Sequence, residues 1–189
     1  MANQDLWLCG PPGVGKSTVG YEIFVAIHRT GRKAAYVDAD QVGMCYPAPC
    51  DDPHNHTLKA LNVGAVWRNF RAADAQCLIV SGAIRSDEEL RLFREQQTDL
   101  SLLVCRLSVG EEVLRARLEM RSTGYGPPVP GRTKWRTVQP ESVREAIDEL
   151  ALLERTTFAD LVVRTNGLSP VNVALRVREQ AGGWLALDP

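Results

Sequence analysis

The stretch that most constrains this chain is Leu6-Trp7-Leu8-Cys9-Gly10-Pro11-Pro12-Gly13-Val14-Gly15-Lys16-Ser17-Thr18. It reads as a buried apolar strand that runs straight into G-x-x-x-x-G-K-S, the P-loop pattern. Gly10, Gly13 and Gly15 let the backbone curl with its N–H groups pointing inward, because no Cβ blocks the approach of a phosphate. A helix opening behind the loop adds the positive end of its dipole. The expected nucleotide-binding set is therefore Gly10, Gly13, Val14, Gly15, Lys16, Ser17 and Thr18. Lys16 is placed to reach the β- and γ-phosphates, and the Ser17 hydroxyl to ligate Mg²⁺. ATP and Mg²⁺ are the cofactors this pattern predicts.

Beyond the loop the chain alternates between two periodicities. A helix is predicted over about 15–29, with Val19, Ile23, Ala26 and Ile27 at helical spacing. Ala34-Ala35-Tyr36-Val37 reads as a strand that delivers Asp38-Ala39-Asp40 at its C-terminal end, the edge where open α/β sheets bind ligands. Read as strand residues, Asp38 and Asp40 fall on one face. An irregular segment, about 41–55, precedes a helix over about 57–73, with Leu61, Val66 and Phe70 inward and Lys59, Arg68 and Arg71 outside. Strands are predicted at 76–80, 100–107 and 161–163. Helices are predicted at 86–96 and 108–121, each opening on a capping box (Ser86…Glu89 and Ser108…Glu111). Further helices are predicted at 140–155 and from the Ser169-Pro170 cap to about 181. The glycines and prolines of 122–139, with Arg132, Lys134 and Arg136 among them, predict a loop that is either functional or disordered. Strands alternating with helices imply a parallel sheet covered on both faces. The expected fold class is α/β, a three-layer sandwich of about five strands, with residues 1–189 forming one domain.

Charge narrows the partners. Lys and Arg number 22 against 23 Asp and Glu, so the basic excess of a nucleic-acid surface is missing. No run approaches the ~18 apolar residues of a membrane span. The first residues lack a basic flank and an apolar h-region, which points to a cytoplasmic protein. Of five cysteines, Cys9, Cys77 and Cys105 fall in predicted strands, where Cys acts as a small hydrophobe. Cys45 and Cys50 precede His54 and His56, but their spacing matches no zinc pattern.

Arg117 and Arg121, four apart, share a helix face just before the Gly/Pro-rich loop. Guanidiniums stack on bases and fork onto phosphates. With these residues in place, the chain resembles the P-loop small-molecule kinases, the group of adenylylsulfate kinase, gluconate kinase, shikimate kinase and chloramphenicol phosphotransferase. The resemblance rests on G-P-P-G-V-G-K-S-T at 10–18, V-D-A-D at 37–40, L-I-V-S-G at 78–82, R-L-E-M-R at 117–121 and D-L-V-V-R-T-N-G-L-S-P at 160–170. It implies a sheet of order 2-3-1-4-5 and a lid at about 122–139. It also implies roles: Asp38 in the Mg²⁺ shell, Asp40 facing the acceptor hydroxyl, Arg117 on the adenine and Arg121 on the transferred phosphate. Thr165, Asn166 and Gly167 would border the adenine. Ser81 stands where many P-loop proteins carry an acidic residue, which puts more weight on Asp38 for the metal.

The expected activity is transfer of the γ-phosphate of ATP to a hydroxyl of a small metabolite or antibiotic-like acceptor. That acceptor is expected between Asp40 and the segment 41–75, which offers Tyr46 and Lys59, with Arg85 as one further anion contact. Asp51, Asp52, Met44 and Trp67 accompany few cations there, which favours a neutral or cationic acceptor over a nucleotide. The alternative is a nucleotide-dependent switch that binds a protein partner. Asp40-Gln41-Val42-Gly43 matches D-x-x-G, but it lies too close to the P-loop and no N-K-x-D motif is present.

Overall fold

The computed structural model describes residues 3–96, 100–122 and 140–182. Its centre is β1 (Asn3–Cys9), which pairs in parallel with β3 (Cys77–Ser81) on one side and β4 (Leu100–Ser108) on the other. β2 (Ala34–Asp38) lies outside β3, and β5 (Leu161–Arg164) outside β4. The sheet order is β2-β3-β1-β4-β5, parallel throughout, as the resemblance implied. Parallel pairing needs crossovers, and seven helices among the described residues accompany the strands: α1 (Lys16–His28), α2 (Ala39–Val42), α3 (His56–Ala72), α4 (Asp87–Gln96), α5 (Glu111–Ser122), α6 (Pro140–Glu154) and α7 (Pro170–Ala181).

Side chains on β1 alternate between two cores, as period two requires. Leu6 and Leu8 join Ile23 and Ile27 of α1 and Val173 and Val177 of α7. Trp7 and Cys9 join Val63 and Trp67 of α3 and Leu90 and Phe93 of α4 on the opposite face. Trp7 is fully buried, its ring centroid 4.1 Å from that of Phe93, and its indole N–H donates to the Gly82 carbonyl at 3.2 Å. Both faces being covered, every strand ends toward one open edge, where the loops after β1, β2 and β3 meet. No helix among the described residues is long and apolar enough to cross a membrane.

Three expectations are corrected. Lys59 is buried and Leu61 is half exposed; Ala60, Val63 and Trp67 form the inward stripe of α3, with Val66 and Phe70 packed only at its margin. Asp38 and Asp40 do not share a strand face. The Asp38 carboxylate accepts from the Asp40 and Gln41 N–H groups and starts α2, so strand periodicity stops at Asp38. The Ser108 capping box is replaced too: α5 starts at Glu111, and the Gly110 N–H donates to the Asn166 side chain at 3.0 Å. The Ser86 hydroxyl does cap α4, accepting from the Glu89 N–H, but the Glu89 carboxylate turns to the Arg85 N–H at 2.7 Å. Ser169 caps α7 with Pro170 as its first residue.

One buried acid remains on β1. Asp5 is fully buried with neither carboxyl oxygen hydrogen-bonded among the described residues, and burial pushes its carboxyl well above the ordinary value. The folded chain therefore keeps Asp5 protonated where the unfolded chain ionises it, so the native state loses stability as pH rises above the ordinary carboxylate range. Replacing Asp5 by Val is expected to raise the unfolding free energy at pH 7 by about 1–3 kcal/mol. The gain shrinks toward pH 4, as urea unfolding of both proteins across that range would measure.

Candidate active site

The loop between β1 and α1 has the conformation that its glycines permit. Gly10, Gly13 and Gly15 have φ of 137, 86 and 109°. A Cβ on Gly10 would sit 2.5 Å from the Leu107 carbonyl oxygen, so the loop needs glycine there for space as well as for φ. The Lys16 ammonium donates to the carbonyls of Gly10 (2.8 Å) and Pro11 (3.2 Å), folding back over the loop that precedes it. At the start of α1 the Ser17 hydroxyl donates to Asp38 Oδ2 at 2.7 Å. The Tyr36 hydroxyl touches the Ser17 carbonyl (3.2 Å) and the Ser81 hydroxyl (2.9 Å), so Ser81 supports this corner from below.

A cavity of about 180 Å³ adjoins the loop. Gly13, Val14, Gly15, Thr18 and Val19 form one wall; Arg117, Met120, Arg121, Thr165, Leu168 and Val173 form the other. Arg117 is held in place by three hydrogen bonds. One of its terminal nitrogens donates to the Val14 carbonyl (3.2 Å) and the Thr165 hydroxyl (3.0 Å), the other to the Thr165 carbonyl (3.1 Å). Asn166 has a different task, since its side-chain oxygen accepts from Gly110 N–H and Arg164 Nε. Gly167 supplies the left-handed turn, φ 66°, that leads into α7.

On the other side of Lys16 lies a polar cluster. Asp40, in α2, accepts from the Lys59 ammonium of α3 at 2.8 Å; the lysine side chain is 8% exposed and the aspartate 42%. Burial raises the Asp40 carboxyl, but the charges of Lys16 and Lys59 outweigh this and hold it below the ordinary value. Arg85, in the loop after β3, donates through Nε and a terminal nitrogen to Glu149 Oε2 of α6, both at 2.9 Å. His56 Nε2 lies 3.3 Å from Glu89 Oε1 and 3.2 Å from Arg85. Burial, with Lys59 and Arg85 nearby, pushes the His56 ring down to about 4, so it is neutral at pH 7. Tyr46 and Met44 stand exposed on the segment after α2, which Asn55 ties back through bonds to the Gly43 and Cys45 carbonyls.

Several of these partners are not visible in the sequence. Glu89 and Glu149 close on Arg85 from two helices, and Arg106, at the end of β4 beside Cys9, is a buried cation that no motif marks. Glu149 does leave a trace: it interrupts the apolar stripe Ala146, Leu150 and Leu153 of α6. The loop 123–139, with Arg132, Lys134 and Arg136, lies outside the described residues.

No protein-family model and no curated protein matches the sequence. Solved structures do match in fold. The tunicamycin resistance protein of Deinococcus radiodurans is 23% identical with a TM-score of 0.62, covering 95% of this chain and 96% of its own. A gluconokinase from Sinorhizobium meliloti is 19% identical, TM-score 0.60, covering 94% and 95%. The Mycobacterium tuberculosis APS kinase, solved with AMPPNP and APS, is 16% identical, TM-score 0.57, covering 93% and 95%.

The Asp40–Lys59 pair is asymmetric in burial, and its mutants should show it. Asp40→Ala strands a buried ammonium and should cost about 1–3 kcal/mol. Lys59→Met should cost less, because water still reaches the Asp40 carboxylate. With its carboxyl held low, the pair contributes above the ordinary carboxylate range and is lost as pH falls through the lowered value. Urea unfolding of the two variants across a series from pH 7 to about pH 2 checks both the order and its disappearance in strong acid. The loop, its lysine and the 2-3-1-4-5 sheet together give this chain the fold of the P-loop small-molecule kinases.

Proposed function

We propose that this protein is a kinase that transfers the γ-phosphate of ATP to a hydroxyl of a small-molecule acceptor. The observation that carries the reading is one convergence. Lys16, the Ser17–Asp38 pair and Asp40 meet at the open edge of the sheet, between an apolar cavity fit for a base and a polar cluster fit for an acceptor. The fold shared with a gluconokinase and an APS kinase supports it. One domain carries both halves, with the acceptor held over about 41–75 and a lid over about 122–139.

Each residue then has a task. The loop N–H groups and Lys16 hold the phosphates, the lysine exchanging its two carbonyl partners for phosphate oxygens. The base enters the cavity against the plane of Arg117, which its three bonds orient. Arg121, on the same wall, contacts the transferred group. Ser17 Oγ and Asp38 Oδ2 are a hard-oxygen pair suited to Mg²⁺, and they would hold it with the nucleotide's own phosphates completing the set. The metal would neutralise charge on the β- and γ-phosphates. Asp40 accepts the hydrogen bond of the acceptor hydroxyl. As the bond from the γ-phosphorus to the bridging oxygen breaks, the acceptor oxygen bonds to phosphorus and its proton passes to Asp40, leaving ADP. A carboxylate held in its charged form is a weak base, but a loose transition state needs alignment more than a strong one.

Lys16→Ala should abolish acceptor-dependent ADP release while leaving the unfolding midpoint near that of wild type. Asp40→Asn should leave ATP affinity nearly unchanged and lower kcat by about 10²-fold, the scale of losing a general base. A metabolite panel assayed for ADP and phosphorylated product tests the reading as a whole. Turnover stimulated only by a protein would instead favour a switch. Wild-type kcat in Asp40→Asn would remove that residue from the mechanism.

A further inference from the structure

Among the described residues, the polar cluster beside Lys16 commits two of its cations to carboxylates. Asp40, Glu89 and Glu149 stand against Lys59, Arg85 and Arg106. The first cation is committed to Asp40 at 2.8 Å and the second to Glu149 at 2.9 Å. Arg106 is buried where β4 ends next to Cys9, and both it and Glu149 act electrostatically on the Cys9 thiol. His56, in contact with Glu89 and Arg85, adds no charge at neutral pH. Glu149 is nine-tenths buried. Drawing Arg85 away toward an incoming anion would strand its carboxylate, which is strongly unfavourable.

The same cluster does have unused hydrogen-bonding capacity. Glu149 Oε1, His56 Nδ1 and Arg106 Nε are buried and have no partner among the described residues. They include an acceptor, Glu149 Oε1, and a donor, Arg106 Nε, which suits hydroxyls: each hydroxyl donates once and accepts as well. Met44 and Tyr46, each 67% exposed, offer apolar surface on the segment that Asn55, the chain neighbour of His56, ties down.

Resting on the kinase reading above, we infer that the acceptor is an uncharged, hydroxyl-bearing molecule with an apolar face. Carboxylated and phosphorylated acceptors are refused, because Asp40–Lys59 and Arg85–Glu149 leave those two cations no freedom to meet an anion. Specificity here comes from the repulsive element, the buried carboxylates, as much as from new contacts.

The test uses the full-length protein with magnesium-ATP and matched acceptors that differ only in charge: glucose and gluconate, panthenol and pantothenate, 3-phenyllactamide and 3-phenyllactate. Product is read by mass spectrometry and kcat/KM by ADP release. The uncharged member of a productive pair should exceed its carboxylate by about 10²-fold. Glu149→Gln keeps the shape but frees Arg85, and should narrow that ratio by about tenfold, chiefly through better use of the carboxylate. The wild-type ratio decides the matter even where the variant is unstable. The inference is overturned by a carboxylate used as well as its uncharged twin, or by a folded Glu149→Gln with an unchanged ratio. Silence from every uncharged member, while ATP turnover stays Lys16-dependent, overturns it equally and leaves the kinase reading standing. ATP turnover that persists in Lys16→Ala sinks the kinase reading itself.

Discussion

Asp38 joins the two halves of the site. One carboxylate oxygen accepts from the Ser17 hydroxyl at the start of α1, and the other caps α2, the turn that carries Asp40. The β1–α1 loop and Asp40 are thus set from one side chain at the end of an edge strand. β2 reaches that position only because β3 lies between it and β1, and five paired positions fix its register, Asp38 opposite Ser81. A parallel sheet of fixed register is what turns three separate loops into one site.

Around this link the electrostatics divide by burial. Lys59 is sunk into the helix face and brings Asp40 with it as a partner, while Arg85 is pinned between two helices. Charges held this way cost desolvation and add little to stability. Their value lies in position: a carboxylate and an ammonium at known places, with His56 kept neutral beside Arg85 and Glu89. The cavity side is arranged in the opposite manner, with largely apolar walls and the Arg117 guanidinium held by backbone and hydroxyl oxygens.

How much of this the sequence reveals depends on distance along the chain. The P-loop is legible because its chemistry is local: glycines, lysine and serine act within one short segment. The strand order comes with the resemblance. Lys59 is misleading because a lysine at helical spacing reads as solvated, and only Asp40, nineteen positions earlier, explains its burial. The Asp38–Asp40 spacing invites a strand's period, but an Asp at a strand end competes for the next backbone N–H groups and starts a turn instead. The Arg85–Glu149 contact spans 64 residues; no local pattern pairs them, and only the packing of α6 brings them together.

The cysteines separate along the same lines. Burial pushes the thiols of Cys9 and Cys105 up to about 12 and raises that of Cys77, which leaves them poor nucleophiles. Cys45 and Cys50 are exposed, on the segment between α2 and α3 that Asn55 anchors. A thiol-directed dye or spin label added to the folded protein will therefore attach at Cys45 and Cys50, on the segment next to the polar cluster, and leave the sheet untouched. The segment between α2 and α3 thus carries its own pair of reporter positions, and replacing either cysteine leaves a single one.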